Sequence, residues 1–197
     1  RDWSSDVCSS DLYNNIKIFI FLYYIIMLYI NSIRDNLISA SPFLVSLPFT
    51  ATNVGKFDIN EEKALWQPPG YVFGIVWPTL YILLFVMNKQ IYTNKSLTDS
   101  FKNKVRMDTL IESFLQGSWL YVFRFNPAIG GRSKNQKLMS LGLLGSMLGF
   151  GVYRIFGFVK HFKSFFGAKD VLKYYIPYFA WLNLATVLGF QIGRAHV

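Results

Sequence analysis

Apolar positions fall along this chain in long blocks with almost no polar face. The blocks cover residues 18–32, 36–55, 71–87, 110–123, 138–159 and 174–190. Runs of about 17–25 apolar residues suit a helix that crosses a bilayer. A helix that is apolar all round offers nothing to water, so the pattern predicts membrane helices and not a soluble bundle. Three blocks carry irregularities. The second holds Pro42 and Pro48, the fourth is short and carries Glu112 and Gln116, and Arg154 interrupts the fifth near its end. The segments between the later blocks, 56–67, 88–108, 124–137 and 160–173, collect the charges and read as loops.

Composition agrees with this pattern: 52% of residues are hydrophobic, 18% aromatic and only 16% charged. An average soluble domain carries about 25% charged residues. With Arg154 counted into the last loop, segments 88–108 and 160–173 hold ten Lys and Arg against six in the other two. The positive-inside rule then places those two loops in the cytosol. A basic chain also invites a nucleic-acid reading, which the distribution rejects. The charge is spread over loops between apolar spans, where it answers to anionic lipid and topology.

Both ends read as foreign to the fold. Residues 1–12 (R-D-W-S-S-D-V-C-S-S-D-L) and 192–197 (I-G-R-A-H-V) resemble translated sequencing adapters and are expected to be non-native and unpacked. Setting them aside removes the only cysteine, Cys8, and leaves His161 as the one histidine. Neither a disulfide nor a metal site can then be built from those residue types. No Ser/His/Asp arrangement, phosphate loop or paired carboxylates of catalytic type appears, so no catalytic residue is assigned.

The most specific local sequence is W-Q-P-P-G-Y-V-F-G-I-V-W-P-T-L-Y, Trp66 to Tyr81. Pro68 and Pro69 cannot sit inside a helix, and Gly70 permits the backbone turn that starts one. Trp77 and Tyr81 are four apart and share a helical face. Trp66 suits a membrane interface, where an indole keeps its N–H wet. For an arbitrary membrane helix these aromatics would be belt and packing. The order of the motif changes that reading, because it resembles the second transmembrane helix of the TspO/translocator-protein family, the tryptophan-rich sensory proteins. A second match lies in Y-I-P-Y-F-A-W-L-N-L-A-T-V-L-G, Tyr175 to Gly189, which resembles the family's fifth helix through Pro177, Tyr178, Trp181, Ala185, Thr186 and Leu188. Gly189 stands where the family has Asn, and Asn183 is a partial substitute on another face. A third, diluted match places Trp119 on the third-helix tryptophan, with Gln116 where the family prefers Asn and Glu112 where it prefers Gln.

The resemblance implies an all-α integral membrane five-helix bundle over residues 33–191, and residues 13–32 have no counterpart in it. That N-terminal hydrophobic segment is an extra helix, an anchor, a targeting segment or translated upstream sequence. The resemblance also implies a pocket beneath the loop after the first helix, taking a tetrapyrrole such as a porphyrin, or a sterol, for sensing or transport. Carried over by position, its residues are Trp77, Tyr81, Gln116, Trp119, Trp181 and Ala185, with Trp66 in the capping segment. No cofactor is implied beyond a tetrapyrrole as ligand. Light-dependent porphyrin degradation and a ligand-free helper role are the competing functions. Membrane lipid is the expected partner.

Several smaller signals are open. Glu112, four residues after Asp108, reads as a surface or structural group, with proton or cation binding as the sharper alternative. Gly145-x-x-x-Gly149 serves internal packing or a homodimer equally well. Val86, Tyr92 and Lys95 formally satisfy a sterol-contact pattern of hypothesis grade. His161, between Lys160 and Lys163, reads as a solvated loop residue.

Overall fold

The computed structural model describes residues 27, 29–47, 68, 70–124 and 134–194. Among them are five helices and no strand: α1 over residues 29–47, α2 Gly70–Thr93, α3 Asp99–Arg124, α4 Lys134–His161 and α5 Lys169–Arg194. The chain divides into two compact units after Leu37. In the first, the described part is the leading stretch of α1, where Arg34 Nε donates to Asp35 at 3.3 Å. The second begins at Ile38 and holds the remainder of α1 with the other four helices.

Within this second unit α5 packs against α2 and α4, and α3 against α4 and α2. The later part of α1 lies against α2 and α3, because Phe43 meets Tyr81 edge-on and Ser41 hydrogen-bonds Ser113 at 2.7 Å. The order around the bundle is therefore α1, α2, α5, α4, α3.

The apolar pattern is inside out for a soluble protein. Phe114, Leu138 and Phe156 are each 70% exposed or more, and Ile75, Ile82 and Val187 also face outward. α2 and α4 contain stretches, Val72–Thr93 and Leu138–His161, long and apolar enough to cross a membrane. Several hydroxyl side chains within the bundle turn back on their own helices. Thr109 donates to Val105 O, Ser113 to Thr109 O and Thr186 to Leu182 O, each at 2.7–2.8 Å. Hydrocarbon supplies no water to such groups, so they bond to their own helix or across to a neighbour. Pro78 withholds a donor in the middle of α2, where Thr79 Oγ1 donates to Ile75 O at 2.9 Å.

The expected loops shrink. Residues 88–108 are mostly helical, since α2 runs on to Thr93 and α3 starts at Asp99. Thr98 Oγ1 accepts from Phe101 N at 3.3 Å and caps α3, so the charges that follow are the exposed first turns of a helix. Likewise α4 and α5 extend into 160–173 and leave only residues 162–168 between them. α1 joins the end of the first apolar block to the second, starting before the expected Ile33. α5 continues through Arg194, so its last residues include part of the adapter-like 192–197. Residues 1–26 and Trp66 lie outside the described residues.

Gly151 marks the closest approach of α4 to α5. A Cβ placed there would come within 2.7 Å of the Phe179 ring. Gly151→Val is expected to force the two helices apart and destabilise the bundle by about 1–3 kcal/mol. Thermal unfolding in detergent checks this, and an unchanged midpoint would show that Phe179 swings away freely. By contrast, a Cβ at Gly145 or Gly149 would meet nothing within 4 Å. Among the described residues nothing packs against these two glycines.

Candidate functional site

Trp77 is the hub of an aromatic cluster inside the bundle. It is buried at 8% exposure, and its ring centroid lies 5.8 Å from Tyr81, 5.8 Å from Trp119, 6.4 Å from Tyr178 and 6.5 Å from Trp181. Phe73, one turn earlier on α2, meets Trp181 edge-on at 5.4 Å. The helical repeat explains the convergence. Phe73, Trp77 and Tyr81 recur every four residues on α2, while Gln116 and Trp119 are three apart on α3. Tyr178, Trp181 and Ala185 line up in the same way on α5. Offset and edge-to-face contacts at these separations are the favourable arrangements for aromatic rings.

The sequence-derived residues therefore come together, apart from Trp66, which is not among the described residues. Their roles differ. Trp119 donates its indole N–H to Ser140 Oγ on α4 at 3.0 Å and so ties α3 to α4 as the back wall of the cluster. Gln116 is fully buried and donates Nε2 to the Tyr81 hydroxyl, which also hydrogen-bonds Ser46 of α1. Trp181 is only partly buried, and Ala185, one turn further on α5, is buried. Asn183 donates to Phe179 O at 2.8 Å, so its amide is spent on its own helix and not on the cluster.

Three buried polar atoms of the cluster have no hydrogen-bond partner among the described residues: Gln116 Oε1, the Tyr178 hydroxyl and Trp181 Nε1. A buried polar group without a partner costs free energy comparable to a lost hydrogen bond, so such groups ask for an explanation. Tyr178 and Phe73 are absent from the sequence-derived set. Their signal was present, because each lies one turn from a chosen tryptophan on the same face.

A second buried constellation corrects where two groups lie. Glu112 is buried in an ion pair and not at the surface, which keeps the structural side of its reading, and Arg154 does not belong to a loop. Both are at most 2% exposed, and Arg154 Nη1 pairs with Glu112 Oε2 across α3 and α4. Tyr175 of α5 donates its hydroxyl to Glu112 Oε1 at 2.6 Å. Arg154 Nη2 reaches Thr109 at 3.4 Å, and Thr109 Oγ1 lies 3.2 Å from Asn88 Oδ1 of α2. The guanidinium lies 5.0 Å from the Tyr175 ring centre. An intramembrane charge survives by pairing, and this pair links four helices. Two weaker readings also change. Tyr92 is buried beneath the Arg106 guanidinium, so the sterol-contact pattern does not face outward. His161 ends α4 and stacks on Phe101 with ring centroids 3.6 Å apart.

Five helices, two of them with stretches long and apolar enough to cross a membrane, surround a tryptophan cluster, and this defines a membrane-protein class. No curated protein and no solved structure matches the chain. The model of the TspO/MBR family matches residues 37–195, most of the length, and the chain belongs to that family. It is an integral membrane protein.

Proposed function

We propose that this protein binds a flat, largely apolar ring ligand of the tetrapyrrole or sterol class, for sensing or transport across its membrane. The observation that carries the reading is the aromatic cluster with Gln116 Oε1, the Tyr178 hydroxyl and Trp181 Nε1 inside it, none with a partner among the described residues. Aromatic walls with a few convergent polar groups suit a flat ring with a polar edge. Two of the unpaired groups can donate and one can only accept. A tetrapyrrole carries both N–H donors and carboxylate acceptors and can meet all three, whereas a sterol offers a single hydroxyl. The tetrapyrrole is the better complement.

The ligand does not slot between Trp77 and Trp181. Their rings touch at 6.5 Å and 87°, whereas a ring held between two parallel faces needs about 7 Å of clear separation. It lies instead against the Phe73–Trp181 side, where both rings are only partly buried.

The test is a protoporphyrin titration of purified protein in the dark, read by tryptophan quenching. Trp181→Phe keeps a ring and removes the N–H donor, and it is expected to weaken binding several-fold. Trp181→Ala should weaken it further. Equal affinity for wild type and both folded variants would move Trp181 out of the site, and no quenching in wild type would favour a ligand-free role. Loss of porphyrin absorbance under illumination, absent in the dark control, would mark turnover and not binding alone.

A further inference from the structure

The α2–α3 and α4–α5 connections emerge at the same end of the bundle. Phe101 at the start of α3 stacks on His161 at the end of α4, and Gln90 near the end of α2 donates to the Tyr174 hydroxyl at 3.0 Å. This end gathers Lys95, Lys102, Lys160, Lys163, Lys169 and Lys173. Among them Lys95, Lys160, Lys163 and Lys169 are exposed and make no ion pair among the described residues. Between the lysines of the α4–α5 turn stand Phe165 and Phe166, 54% and 84% exposed.

The turn holds these two rings outward by its own backbone. Lys163 sits in the left-handed region with φ 59°, Gly167 N donates to Ser164 Oγ at 2.8 Å, and Ala168 N donates to Ser164 O at 3.2 Å. Gly167 packs so closely that a Cβ there would meet Phe162 O at 2.6 Å. Phe162 packs inward against Phe101, and Ala168 is fully buried, so both ends of the turn are pinned while its middle projects. Two fixed phenyl rings flanked by unpaired ammonium groups match the boundary between acyl chains and headgroups, rings inward and charges at the phosphates.

We propose that the 160–169 turn is a binding site for anionic phospholipid headgroups of the adjacent leaflet, with Phe165 and Phe166 as its apolar wedge. Its basis is charge complementarity: the turn presents several free cations and no carboxylate before Asp170, which is taken by Lys173 at 3.2 Å. The inference rests on the membrane class of the protein and not on the ring ligand, so porphyrin binding can fail without touching it.

The experiment uses the full chain in vesicles of four parts phosphatidylcholine to one part phosphatidylglycerol, extracted gently, with co-purifying lipids measured by mass spectrometry. Wild type is expected to retain phosphatidylglycerol several-fold above its bulk share, less so at high salt. The triple variant Lys160→Gln/Lys163→Gln/Lys169→Gln should return retention to the bulk ratio. Phe165→Ser/Phe166→Ser should lower total retained lipid while some preference remains. All five positions are at the surface, and porphyrin titration of each variant confirms an intact bundle if wild type binds, with thermal unfolding as the check if it does not. Bulk-ratio retention by wild type, or undiminished enrichment in the triple variant, overturns the proposal. Displacement by inorganic phosphate at matched ionic strength would do the same, by making the turn a general anion site. Enrichment that disappears when the protein is held monomeric would also overturn it, in favour of a contact between two copies.

Discussion

Arg154→Met is expected to destabilise the protein in detergent by about 3–5 kcal/mol, and Glu112→Leu by a similar amount. Each substitution strands the opposite charge at a site no more than 2% exposed. Arg154→Met leaves a carboxylate beside the Tyr175 hydroxyl, and Glu112→Leu leaves a guanidinium with Thr109, two rings and the more distant Asp108 charge around it among the described residues. Removing the whole constellation should cost far less. The combination Glu112→Leu/Arg154→Met/Tyr175→Phe replaces polar atoms by apolar ones of similar size and is expected near wild-type stability, because a buried pair repays little more than its own desolvation. Thermal unfolding of the four proteins in one detergent measures this. Single variants within about 0.5 kcal/mol of wild type would mean that the pair is already solvated, and the proposed four-helix tie would be abandoned.

Trp77→Ala should produce the next largest loss, about 3–5 kcal/mol of stability, because it empties a space bordered by four other rings. Trp181→Ala should cost clearly less, since that residue is only partly buried. The order of the two in unfolding, Trp77 before Trp181, separates the hub of the packing from its partly buried edge. The reverse order would place the hub on α5. Porphyrin affinity of Trp77→Ala is informative only at temperatures where the variant is folded.

What could be read from the residues follows from how each helix treats its charges. α2 and α5 were legible because an uncharged run with Trp77, Tyr81, Pro177 and Trp181 leaves few alternatives. The first half of α3 was not. Lys102, Lys104, Arg106 and Asp108 look like a loop, yet they lie in the opening turns of a helix capped by Thr98, where Lys104 pairs with Asp108 at 2.6 Å one turn on. Charges at the end of a membrane helix reach the interface along their aliphatic stems and do not end the span. Arg154 was misplaced for a related reason. A cation near the end of an apolar run suggests a boundary, and only its partner on another helix shows that it lies inside. Glu112 and Arg154 each broke an apolar block, and opposite charges buried in two different blocks are themselves a pairing signal. Around Trp77 the spacing places the aromatic residues on faces that meet, but periodicity does not say whether the rings enclose a space or fill it.

The contacts among Trp77, Trp119 and Trp181 have an optical consequence. Indoles whose centres stand 5.8–6.5 Å apart exchange excitation before they emit. Light absorbed by any one of the three is shared, and emission leaves from whichever ring has the lowest excited state. A ligand resting only against Trp181 would therefore quench the whole trio, and replacing a single tryptophan would shift the emission colour as well as its intensity. In fluorescence the three rings behave as one chromophore, distributed over three helices, whose colour reports how closely those helices are packed.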